Sequence, residues 1–151
     1  MPPVVFVHPA GSLIVHVDQL AMSICRGFRN DQLEAGGMLL GHRRGEHFEV
    51  LDATTPLPND IRLPDRFVRQ DAGHNKILER RWKKSGGAID YLGEWHTHPI
   101  GSATPSSMDR HEWTILWRKL RVPLACMIFS PGNEGAWLIH DSVTRAHGAA
   151  I

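Results

Sequence analysis

The chain has 151 residues, 17 Lys and Arg against 16 acids for a formal charge of +1 with neutral histidines, and 42% hydrophobic residues. That length suits a single domain, 1–151, with a substantial core, and no stretch approaches the roughly 18 apolar residues of a membrane span. The start, Met1-Pro2-Pro3-Val4-Val5-Phe6-Val7, lacks a basic n-region and a long apolar run, so a cytoplasmic protein with neither a membrane nor a nucleic-acid partner is expected.

In chain order, residues 4–8 and 13–16 read as short strands. Val17, Leu20, Ala21, Ile24, Cys25 and Phe28 recur at helical spacing. Strands are expected near 36–42 and 48–54. Residues 55–65 hold Pro56, Pro58 and Pro64 and few apolar side chains, which marks an irregular segment. A short strand at Phe67-Val68 and a helix over 71–84 follow. After the breaker pair Gly86-Gly87, residues 89–96 are rich in β-branched and aromatic types and are stopped by Pro99, the pattern of a buried strand. A helix from Ser106 carries an apolar stripe at Trp113, Leu116, Trp117 and Leu120. Strands near 124–129 and 136–140 complete the order, which is consistent with a mixed sheet flanked by helices. There is no internal repeat. Cys25 on an apolar helical face and Cys126 in a core strand read as buried free thiols.

Residues 62–84 carry eight Lys or Arg against three acids. This is either a solvated helix face or a field that steers an acidic partner. His74, spaced with Ile77, Leu78 and Arg81, reads as a packed histidine rather than a second ligand. His140 and Asp141 are neighbours on an expected strand, face opposite sides and make a poor chelate.

The chemistry concentrates at His96-Thr97-His98-Pro99, followed by Ser106 and Asp109. Strand side chains alternate, so the two imidazoles share a face and can close on one ion near the strand's end, while Thr97 faces away with no chemical role. Asp109 lies on the inward face of the next helix, where an unpaired carboxylate is costly and a divalent cation would relieve it. Ser106-x-x-Asp109 also has the form of a capping box, and capping and ligation are compatible. Two imidazoles and a carboxylate leave one position open, the arrangement of a catalytic rather than a structural zinc site.

This constellation resembles the JAMM motif of the JAB1/MPN/Mov34 zinc metalloprotease family: a distant glutamate, then His-x-His-Pro, then Ser-x-x-Asp. Glu34-Ala35-Gly36-Gly37-Met38-Leu39-Leu40-Gly41 resembles that family's base-bearing strand, and its small residues allow close packing beside the site. The resemblance implies an α/β JAB1/MPN-like single domain with a curved mixed sheet flanked by helices. It further implies a Zn2+ cofactor held by His96, His98 and Asp109. Glu34 would be the base that takes water's proton and passes it to the leaving amine, and Ser106 would serve the oxyanion.

The strings Phe67-Val68-Arg69-Gln70-Asp71 with His74, and Gly93 to Pro99, look most like bacterial stand-alone members, including deconjugating peptidases of the CBASS anti-phage systems. The implied substrate is a protein with a ubiquitin-like or similarly conjugated C-terminal tail, such as a nucleotidyltransferase joined to its targets. Processing of a sulfur-carrier or ubiquitin-like precursor, a non-catalytic MPN binding module, and a zinc hydrolase of small amides are the alternatives.

Overall fold

The computed structural model describes residues 3–9 and 14–148. Ten strands and three helices occur among them. The strands are β1 (Val4–Val7), β2 (Ile14–Val17), β3 (Gly36–Arg44), β4 (His47–Ala53), β5 (Ile61–Leu63), β6 (Arg66–Val68), β7 (Asp90–Thr97), β8 (Leu124–Ser130), β9 (Asn133–Ile139) and β10 (Val143–Gly148). The helices are α1 (Gln19–Arg26), α2 (Gly73–Lys84) and α3 (Ser107–Leu120). The strand expected at 13–16 begins at Leu13, outside the described residues.

Eight strands close into a barrel in the order β1-β10-β9-β8-β7-β3-β4-β2, and β5 and β6 form a separate hairpin. Most pairs are antiparallel, but β7 runs parallel to β8 and β2 parallel to β4. A parallel pair needs a crossover, and α3 supplies the one between β7 and β8. The mixed, curved sheet flanked by helices is therefore present, curved far enough to close on itself.

The barrel interior is filled by one cluster that includes Val15, Met22, Leu39, Leu92, Trp95 and Phe129. A second cluster, with Trp113, Leu124, Ile128 and Trp137, seats α3 on the outside of β8 and β9. Because β8 is covered on both sides, all seven of its residues are buried and it reads as a continuous apolar run. Cys25 and Cys126 are both free and buried.

Several expectations shift. Asp18 caps α1 by accepting from Leu20 N–H, so Val17 ends β2, and the helix buries Ala21, Met22 and Cys25 while Leu20 is exposed. Leu120, on the expected stripe of α3, is also exposed. The segment 55–65 contains β5, and β10 is an additional strand whose polar residues face outward. No helix among the described residues is long and apolar enough to cross a membrane. The basic stretch is largely neutralised: Arg62 pairs with Asp31, Arg66 with Glu112, Arg69 with Glu94, Arg81 with Asp52 and Lys83 with Glu79. Five of its eight cations are thus locally balanced, which favours a solvated helix face over a steering field.

Candidate metal centre and its cleft

β7 delivers His96 within the strand and His98 just past its end. His98 N–H still donates to Phe129 O on β8 at 2.8 Å, so the alternation that aims both rings the same way survives the last residue of the strand. Their Nε2 atoms lie 3.1 Å apart, and Asp109 Oδ2 is 3.2 Å from each. Asp109 reaches them from the first turn of α3, where Ser106 Oγ accepts Asp109 N–H at 3.0 Å and Asp109 Oδ2 accepts Ser106 N–H at 2.9 Å. The capping box and the convergence on the imidazoles therefore use the same carboxylate oxygen. His140 and Asp141 are exposed and stand apart from this group, with 3.8 Å between their nearest polar atoms.

The donor set fits a divalent metal. Bonds of about 2.0–2.1 Å at tetrahedral angles separate donor atoms by about 3.3–3.4 Å, close to the spacing here. His98 Nδ1–H donates to Ser102 O at 2.9 Å, which fixes the tautomer that leaves the Nε2 lone pair free for an ion. Two imidazole nitrogens facing each other across 3.1 Å need either a cation or shared protons between them. Burial disfavours the Asp109 carboxylate, but where His96 and His98 carry protons on Nε2 in place of an ion, their hydrogen bonds to Asp109 outweigh it and hold the group well below the usual carboxylate range.

Glu34 precedes β3 rather than lying within it, and is 7% exposed. Burial raises its carboxyl from 4.5 to about 7, with His96 and His98 opposing the rise and Asp109 and Asp65 adding to it. Its backbone is fixed on both sides. Glu34 N–H donates to Leu63 O at 2.8 Å, and Arg62 Nε–H donates to Glu34 O at 2.9 Å. Thr97 completes the frame: its Oγ1 accepts Ala35 N–H at 2.9 Å and its own N–H donates to Ala35 O at 2.8 Å. The residue between the two imidazoles thus ties the metal strand to the residue beside Glu34. The alternation argument alone contained the signal, because a threonine facing a strand's buried side needs a polar partner.

The glycines after Glu34 permit this approach. A Cβ at Gly36 would stand 2.6 Å from both the Phe67 ring and Trp95 O, and one at Gly37 would stand 2.0 Å from Thr54 O. A cleft of about 450 Å³ opens over the site. The β5–β6 hairpin forms one wall through Asp65 to Arg69, β7 the floor through Glu94 to His96, and α3 the other wall through Met108, Glu112, Trp113 and Leu116. The Arg66–Glu112 ion pair, at 3.0 Å, spans the two walls. Glu34, Ser106, His96 and Asp109 all line this cleft, and His98 lines a shallower recess that shares Glu34, Asp65 and Ser106.

Comparison with known proteins identifies the family. Residues 16–140 match the family described as prokaryotic homologs of the JAB domain. A protein of Pseudomonas aeruginosa called CD-NTase/cGAS isopeptidase is 47% identical over 58% of this chain and 56% of its own length. A protein of the same name from Escherichia coli is 31% identical over 76% of this chain and 75% of its own. A probable metalloprotease, y4qB, from Sinorhizobium fredii is 30% identical over 72% of this chain and 68% of its own. The chain spans only 56% and 65% of the lengths of the Pseudomonas aeruginosa and Vibrio cholerae isopeptidases that it matches. The solution structure of protein DSY2949 from Desulfitobacterium hafniense shares the fold, with a TM-score of 0.65 at 24% identity over 89% of this chain and 90% of the other. On the extent of these matches, the chain belongs to the family of prokaryotic JAB-domain proteins.

Proposed function

We propose that the protein is a zinc-dependent isopeptidase that hydrolyses the amide bond after the C-terminus of a conjugated protein. The observation that carries this reading is the convergence of His96, His98 and Asp109 on one point of the cleft that Glu34 also lines. His96, His98 and Asp109 would hold zinc, which when bound supplies Lewis acidity toward water and the scissile carbonyl.

The chain's own residues do the rest. A Glu34 carboxylate oxygen accepts the proton of the attacking water and returns it to the leaving nitrogen, and burial, which raises this carboxyl, strengthens it as the base that takes the proton. Ser106 Oγ accepts from Asp109 N–H, so its own proton remains to donate to the carbonyl oxygen as negative charge develops there. The two-walled cleft suits an extended tail leading to the scissile bond.

The names of the relatives support a conjugated protein as substrate, and among such proteins a CD-NTase; a role in an anti-phage system is what the resemblance of the motifs adds. An immunoblot for covalent conjugates of the neighbouring nucleotidyltransferase or carrier, in cells carrying either the parent protein or Glu34→Gln, tests this. Conjugates that accumulate only with Glu34→Gln support deconjugation; identical patterns refute it.

A further inference from the structure

Outside the metal centre, one buried polar network is left unused by the chemistry above. His74 on α2 and the Asp60 side chain are both 0% exposed, with His74 Nε2 2.5 Å from Asp60 Oδ2. On the other side of the ring, His74 Nδ1 is 2.7 Å from Thr54 Oγ1. The network assigns its own protons. Thr54 Oγ1 already accepts Met38 N–H at 2.8 Å, so its hydroxyl proton goes to Nδ1, and Nε2–H donates to Asp60. Asp60 is also the hub of the segment around it: Oδ2 accepts Leu57 N–H at 2.8 Å, and Oδ1 accepts Gln70 N–H at 2.9 Å and Asp71 N–H at 2.8 Å.

These partners bracket the β5–β6 hairpin. Leu57 lies before it and Gln70 and Asp71 after it, so one carboxylate gathers both stems and one imidazole ties them to the barrel through Thr54. The barrel end of the link is itself firm, because Thr54 O accepts Trp95 Nε1–H at 2.8 Å next to His96. The hairpin end reaches the active site through Leu63 and Arg62, which fix the Glu34 backbone, and through Phe67, packed over Gly36.

We propose that His74 and Asp60 are positioning residues: a buried clasp that sets the hairpin wall of the cleft against Glu34 and thereby governs how tightly a substrate tail is held. The effect on substrate rests on the isopeptidase reading; the effect on the hairpin does not.

Two amides separate the bonds of the ring. The amide nitrogen of His74→Gln sits near the position of Nε2 and keeps the bond to Asp60, whereas His74→Asn reaches only the Thr54 side. Hydrogen–deuterium exchange on the full chain, zinc content, and kcat and KM on a purified conjugate are then compared. The clasp predicts that His74→Asn exposes the amides of 57–71 to exchange while those of β7 and β8 stay protected, retains stoichiometric zinc and raises KM about tenfold with a smaller change in kcat, as expected for loss of one buried hydrogen bond to a charged group. His74→Gln restores both hairpin protection and KM toward the parent values. Equal hairpin exchange in parent and His74→Asn, or a loss of protection spread evenly over the barrel, overturns the clasp. If neither variant folds, the parent decides: hairpin amides that exchange as fast as a free loop refute it. A parent that cleaves no conjugate while the hairpin responds as described refutes the isopeptidase reading and leaves the clasp standing.

Discussion

Replacing Glu34 with glutamine should stabilise the metal-free protein, and more so as the pH rises. The folded state raises this carboxyl from 4.5 to about 7, chiefly by burying it. The native state therefore holds the proton more tightly than the unfolded chain, so the group's favourable contribution is fully present below 4.5 and is lost as the pH climbs through 7. A displacement of this size corresponds to about 3 kcal/mol at pH well above 7. Water entering the cleft screens part of it, leaving an expected advantage for Glu34→Gln of about 2 kcal/mol at pH 8 and under about 1 kcal/mol at pH 5. Urea unfolding of both proteins in chelator at the two pH values measures the difference; titrating groups remote from Glu34 cancel in it, while His98, whose charged form Glu34 favours, adds a smaller change of its own. Adding zinc should shrink or reverse the advantage, since a nearby cation favours the carboxylate. A variant that is no more stable than the parent at pH 8, or an advantage that does not fall on acidification, would refute the burial argument.

Other outcomes follow from the same geometry. His98→Ala should abolish stoichiometric zinc by elemental analysis, whereas Glu34→Gln should retain the metal and lose about 10²–10⁴-fold in kcat. Ser106→Ala removes both a helix cap and a proposed oxyanion donor, so it should cost about 1 kcal/mol in urea unfolding and about a hundredfold or more in kcat. Thr97→Val leaves the buried Ala35 N–H without its acceptor; it should destabilise by about 1–3 kcal/mol and lower turnover with zinc still bound. Gly37→Ala drives a methyl into Thr54 O and should cost at least about 2 kcal/mol, read as a loss of soluble protein or a lowered melting temperature.

The geometry of the candidate metal centre was largely legible in the sequence because its proposed ligands lie on local patterns. Alternation along β7 aims His96 and His98 together, and the capping box at Ser106 fixes where Asp109 points, so neither inference needs distant contacts. Glu34 was different. Its place was reached through a family resemblance, since its position depends on β3 pairing with β7, where Gly36 lies opposite His96. The misses have other causes. Val17 and Leu20 fit a helical repeat with Ala21 and Cys25, but the Asp18 cap cut that repeat one residue after Val17. Of the hairpin, β6 is the strand expected at Phe67-Val68, whereas β5 was missed because its three residues, Ile61 to Leu63, follow a proline-rich segment and carry little period-two signal. β10 was missed for a similar reason: only Ala146 of its six residues is buried.

A barrel has neither a first nor a last strand. Each of its eight members has a neighbour on both sides, so their main chains offer only short open stretches to a passing polypeptide, such as Val143 to Ala146 of β10, which β1 does not cover. The separate ribbon of β5 and β6 has three residues in each strand; β5 is engaged by Glu34 N–H at Leu63 O, and β6 borders the cleft. Closure thus removes nearly every surface on which copies of this chain could stack edge to edge. Backbone-directed attachment is left to short stretches, one of them β6 beside the candidate active site, so a single architectural choice lowers the risk of fibre-like self-association.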